Sequence, residues 1–116
     1  MKRIKTQDLT GPALDWAVAK CEGHTDGKDF AWYYDRRNTF NFSTNWAQGG
    51  PIIEREQILI QPEIGKEGCA NAWNAISMQD TEDYGPTPLI AAMRCYVASK
   101  LGDEVEIPKE IAPCNT

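Results

Sequence analysis

Residues 84–102 read YGPTPLIAAMRCYVASKLG. This stretch carries both ends of one helix. Thr87 suits the N-cap, Pro88 the first helical position, and Gly102 the left-handed residue beyond the C-terminus. Between Pro88 and Ala98 the only charged residue is Arg94. A helix that is apolar on nearly every side is buried on nearly every side. The pattern therefore predicts a central helix that carries a guanidinium into or beside covered surface. Such a charge needs a partner, either a protein carboxylate or a bound anion. Residue type alone leaves both open.

Working outward, a second helix is predicted from Pro12 to Cys21, capped by Thr10 or Gly11, with Asp15 in its first turn and Gly23 after its end. At 100° per residue, Leu14, Ala17, Val18 and Cys21 share one face, and Trp16 points almost opposite, beside Lys20. Trp16 then either lies on the protein's own loop or serves as a subunit contact or pocket wall. KRIK (2–5) reads as a short edge strand, ILIQPEI (58–64) as the clearest strand and WNAISM (73–78) as another. GKEGCAN (65–71) and the acidic QDTEDYGP (79–86) read as loops, and Val105–Ile107 as a short strand that Pro108 interrupts. The fold class is α+β: a single domain over 1–116, with a small, mainly antiparallel sheet and two helices packed on it.

Residues 24–50 have a different character. FAWYYDRRNTFNFSTNW (30–46) mixes aromatic and polar residues and is expected to supply one or two strands. Its rings surround Arg36, Arg37, Asn41 and Asn45. Rings beside guanidinium groups suit a nucleobase and a phosphate, but equally an ordinary hairpin with cross-strand aromatic pairs. In AQGGPIIEREQ (47–57), Gly49 and Gly50 permit close backbone approach and Pro51 is expected to open a short helix.

Bulk properties remove several function classes. The net charge of −5 weighs against non-specific DNA binding, which rests on phosphate neutralisation. No run approaches the roughly 20 apolar residues of a membrane span, and MKRIKTQDL lacks the apolar segment of a secretory signal, so residence in the cytoplasm is expected. The four cysteines are scattered, without CxxC, and His24 is the only histidine, so no zinc spacing is present and no metal or cofactor is expected. Cys21 and Cys95 are expected as core thiols, while Cys69 and Cys114 are free to lie at the surface. Patterns such as GxSxG, HExxH, GxxxxGK[ST] and GxGxxG do not occur. Binding is expected rather than catalysis.

Three co-linear blocks, LTGPALDWAVAKCEG (9–23), STNWAQGGPIIERE (43–56) and YGPTPLIAAMRCYVASKLGDEV (84–105), resemble the NinX family of tailed-phage and prophage proteins. The resemblance extends from about residue 3 to residue 110. It implies a relationship to phage anti-defence sponge proteins, which counter Thoeris and similar systems by binding cyclic ADP-ribose isomers or cyclic oligonucleotides without cleaving them. It also implies a homo-oligomer, a dimer or dimer-based hexamer with pockets at subunit interfaces, in the host bacterial cytoplasm. On that basis Arg94 is the first choice for phosphate, Trp46 and Trp73 for stacking, Asn45 and Gln48 for polar contacts, and Arg36 or Arg37 for reaching across from a partner subunit. Asn45, Trp46 and Gln48 equally suit the turn of their own block. The alternative function is an accessory protein-binding factor in phage replication, recombination or host takeover.

Overall fold

The Thr87 hydroxyl accepts from the Ile90 N–H at 3.1 Å and starts helix α4 (Pro88–Leu101), which ends at Gly102 with φ 93°. The structure, a computed structural model, describes residues 1–63 and 72–112. In α4, Leu89, Ala91, Ala92, Met93, Cys95, Tyr96 and Val97 are all buried. They span about 240° around the axis, and Ile90, Arg94 and Ala98 on the remaining side are half-buried, so α4 is the central element that the apolar pattern predicts. The other helices are α1 (Gly11–Cys21), α2 (Phe30–Asp35) and α3 (Trp46–Glu56), and the strands are β1 (Lys2–Lys5), β2 (Leu59–Glu63), β3 (Ala72–Ile76), β4 (Glu82–Gly85) and β5 (Glu104–Ile107).

Among the described residues the strands form two antiparallel sheets, β1–β5 and β2–β3–β4. Lys2 lies opposite Ile107, and Trp73 lies between Pro62 and Gly85. Helix α4 packs on the three-stranded sheet and also against α1 and α3. Its approach to β4 is close enough that a Cβ on Gly85 would sit 2.6 Å from the Ala91 nitrogen. By strand alternation Trp73, Ala75 and Asp83 share this covered face. On the opposite face a polar ladder crosses the strands. The Gln61 amide donates to Asn74 at 3.0 Å, and the Asn74 amide donates to Glu82 at 2.9 Å.

The α+β class holds, with differences in detail. The segment from Phe30 to Trp46 forms no strand. Its first part is α2, because the Asp29 carboxylate caps the Trp32 N–H at 2.9 Å. A 3-10 turn follows at Arg37–Thr39. Helix α3 starts at Trp46, five residues ahead of Pro51, because the Asn45 side chain accepts from the Ala47 N–H at 2.9 Å and nucleates it. The acidic segment before α4, expected as a loop, is edge strand β4, held by backbone pairing to β3. Helix α1 is buried along Ala13–Ala19, not on one face alone. Trp16 is only 6% exposed.

Asp15 is also buried; it accepts from the Ser43 N–H at 2.8 Å, and burial pushes its carboxyl above the usual range. Cys95 is buried and Cys21 half-buried, as expected for core thiols. Burial pushes their thiols up to about 11 and about 12 respectively. Cys69, Cys114 and the 65–71 loop lie outside the described residues.

Candidate functional site

The recognition-like segment builds a lobe from α2, the Arg37–Thr39 turn and the start of α3. Helical spacing divides its rings. Tyr33 and Phe42 turn inward and are buried, and Phe40 stacks on Tyr33 with ring centres 5.2 Å apart. Trp32, half-buried, and Tyr34, exposed, meet cations. Arg36 follows Trp32 by four positions and its guanidinium lies 4.5 Å from that ring's centre. Arg37 follows Tyr34 by three and lies 3.8 Å from the phenol ring's centre. Such cation–ring pairs contribute about 0.5–1 kcal/mol each at an exposed site. Each guanidinium also donates one bond to a helix carbonyl, Arg36 to Trp32 O at 3.1 Å and Arg37 to Tyr34 O at 2.5 Å. A guanidinium has five N–H donors, so both retain donors toward solvent.

The polar candidates position this lobe. Asn45 caps α3. Gln48 accepts from the Asn41 N–H at 2.7 Å and donates to Thr39 O at 3.0 Å, which fastens α3 to the preceding turn. Trp46, at the first position of α3, is 53% exposed, an open indole on the same lobe. Arg36, Arg37, Asn45, Trp46 and Gln48 are thus brought into one lobe by α2 and the beginning of α3.

Trp73 and Arg94 lie elsewhere. Trp73 is half-buried on the sheet face beneath α4. Arg94 is half-buried too, and its hydrogen-bond partners among the described residues are two backbone carbonyls. Its Nε–H donates to Leu9 O at 2.7 Å and Nη1 donates to Tyr84 O at 2.9 Å. Burial lowers its affinity for the proton, and the nearby carboxylates of Asp83 and Asp8 oppose that. The ion pairs of the described residues do not include it. Arg94 braces the start of α1 against β4.

Sequence reasoning missed Trp32 and Tyr34 as platforms for the two guanidinium groups. The signal was the i, i+4 and i, i+3 spacing to Arg36 and Arg37, which only a helix brings together. It also missed a junction between α1, α3 and α4. There Arg55 makes two bonds to Glu22 at 3.1 and 2.6 Å. The Tyr96 hydroxyl donates to the same carboxylate. The hydrogen bond from Arg55 holds Glu22 below the usual carboxylate range, against its partial burial. This junction is structural, since all its charges are matched within it.

The chain matches a protein family described as "Bacteriophage P22, NinX" over residues 5–100. That span includes every candidate binding residue named above. No curated protein matches the chain.

Proposed function

The chain belongs to the bacteriophage P22 NinX family, and on that premise we propose that it is a phage-encoded binding protein that captures a small nucleotide-derived host signal without converting it. The observation that carries this reading is the pair of outward guanidinium groups seated on rings, Arg36 on Trp32 and Arg37 on Tyr34, on the lobe that also exposes Trp46. Two guanidinium groups suit a pyrophosphate or two phosphodiesters, which they grip with charge-assisted bonds. An open indole suits a purine, at about 1–3 kcal/mol per stacked base. In this reading Arg36, Arg37 and Trp46 touch ligand, Asn45 and Gln48 hold the lobe, and Trp73 and Arg94 support the fold behind it. A second subunit laid over the lobe would exclude water and complete a pocket. Capture of a scarce signal needs a Kd near 10 nM, about 11 kcal/mol.

Calorimetry against cyclic ADP-ribose isomers and cyclic di- and trinucleotides tests the proposal. Binding tighter than micromolar is expected for at least one, with the ligand recovered intact after denaturation. The Arg36→Ala/Arg37→Ala double variant is expected to weaken it about a hundredfold while melting only about 4–8 °C lower, from the loss of two cation–ring pairs. Absence of binding to all of these ligands would sink the idea, and a chemically altered ligand would make the protein an enzyme.

A second reading, an accessory protein-binding factor in phage replication, recombination or host takeover, draws on Leu59 and Tyr84, exposed on β2 and β4, and Met78, exposed in the turn after β3. It predicts that a host protein co-purifies with the chain and is lost on Leu59→Asp. Recovery of the chain alone argues against it.

A further inference from the structure

A cleft of about 490 Å³ opens between α1, the turn at residues 25–29 and the 3-10 turn after β5. This lies within the size range of small-molecule sites. Trp16 is at its base, Phe30 forms a wall, and Lys20, Lys28 and Lys109 converge on it from three different elements. Lys20 comes from the last turn of α1, and its ammonium lies 5.2 Å from the centre of the Trp16 ring. Lys28 stands beside Gly27, whose φ is 71°, and its ammonium lies 5.5 Å from the centre of the Trp32 ring. Lys109 follows Pro108 at the start of the 3-10 turn.

None of these lysines takes part in an ion pair among the described residues. Three carboxylates also line the concavity, Asp26, Asp29 and Glu110, of which Asp29 is engaged in capping α2. With three lysines and three carboxylates, it is a locally balanced surface and not an acidic one, within a chain of net charge −5. An ammonium group outside any ion pair is open to a charge-assisted bond with a phosphate oxygen. Asp26 and Glu110 are absent from the same ion pairs, so their oxygens remain open to hydroxyl or amino donors. The fourth chemical element is the flat apolar surface of Trp16 and Phe30.

We propose that this cleft is a binding site for a small phosphorylated ligand carrying a flat ring, of the nucleotide class. Its phosphate is held among Lys20, Lys28 and Lys109, its ring lies against Trp16 and Phe30, and its sugar hydroxyls or amino group donate to Asp26 and Glu110. Lys20 is the mobile part. Its ammonium lies over the indole, and the arriving ring displaces it toward the phosphate. The site is distinct from the Arg36–Arg37 lobe and stands on separate residues. It draws on the capture reading only for the ligand's likeness to a signal nucleotide.

The test is an NMR titration of the full chain that follows the four indole N–H resonances, assigned by single Trp→Phe substitutions. ADP is the probe, with adenosine and inorganic phosphate as controls. ADP is expected to move the Trp16 resonance and to bind at least tenfold more tightly than either control. The Lys20→Ala/Lys28→Ala/Lys109→Ala variant is expected to raise the Kd more than tenfold with the melting temperature lowered by no more than about 8 °C, since two cation–ring contacts are lost. Arg36→Ala/Arg37→Ala should leave the Trp16 response intact. A Trp16 resonance that stays fixed while Trp32 or Trp46 moves would overturn the cleft and leave the lobe standing. Phosphate binding as well as ADP would overturn the ligand class. A Trp16 response to ADP in a protein that ignores every cyclic signal would support the cleft and remove the capture reading.

Discussion

Adding one methyl group at Gly85 and at Gly50 should have opposite effects on stability. At Gly85 the new Cβ would lie 2.6 Å from the Ala91 nitrogen, 3.0 Å from the Ala91 Cα and 3.0 Å from the Ile90 Cγ2. Two of these atoms are α4 backbone and cannot rotate away. Helix and strand must part by about 0.8 Å to restore ordinary contact, which disturbs packing along the whole covered face. Overpacking of this kind costs about 2–3 kcal/mol, near the top of its range because the backbone does not yield. At Gly50 nothing lies within 4 Å of the new Cβ. The residue sits inside α3, so alanine there gains about 0.5–1 kcal/mol of helix propensity. At about 4 °C per kcal/mol for a chain of this size, Gly85→Ala should melt about 8–12 °C lower and Gly50→Ala about 2–4 °C higher. Urea denaturation gives the free energies and calorimetry the midpoints. A Gly85→Ala variant within about 0.5 kcal/mol of the parent would refute the close approach of α4 to β4.

Two further outcomes follow from the charged groups. Arg94→Ala removes both bonds to Leu9 O and Tyr84 O and should cost about 3 kcal/mol in urea denaturation, with ligand affinity unchanged in whatever protein remains folded. A stable variant that has lost affinity would instead make Arg94 a ligand contact. Glu22→Gln should cost about 1 kcal/mol at neutral pH, a small value because Arg55 is half-exposed. The native carboxyl is held below its ordinary value near 4.5. Its contribution is therefore present above that value and is lost as pH falls through the folded-state value. The stability curves of parent and variant should converge in acid, and curves that stay parallel would dissociate Glu22 from the network.

The elements that sequence conveyed well are those whose ends carry their own chemistry. Thr87, Pro88 and Gly102 mark α4 completely, and Pro12 and Gly23 mark α1. Strands β2 and β3 show as short apolar runs, and β5 as an acidic–apolar alternation ended by Pro108. Helix α2 was hidden because its aromatic residues favour strands by propensity, and the decisive Asp29 cap is a single local bond. Helix α3 was obscured by Gly49, Gly50 and Pro51, three poor helix formers that the Asn45 cap and the packing of Ile52 override. Strand β4 is acidic and gains its structure from pairing with β3, which no local signal announces. Among the site residues, composition pointed to Arg36 and Arg37, but only the helix shows which rings they meet. Trp16 stood opposite the predicted inner face, yet it is buried, because α1 is covered along Ala13–Ala19 and not on one face alone. The backbone partners of Arg94 were invisible because carbonyls occur at every position and distinguish none.

The pairing of β1 with β5 joins residues 105 positions apart at its outer rung, Lys2 with Ile107. A ribosome adds about 5–20 residues per second, so β1 is made about 5–20 s before its partner exists. During that interval its backbone N–H and C=O groups are an unfilled template for any passing strand. Arg3 and the lysines at positions 2 and 5 make it a charged template, a device by which edge strands discourage unwanted pairing. The ion pairs from Arg3 to Glu104 and Glu106 at 3.3 and 3.9 Å then give the same charges a second use. Charges that keep the unpaired strand from the wrong partner thus become contacts to the right one once β5 has been made.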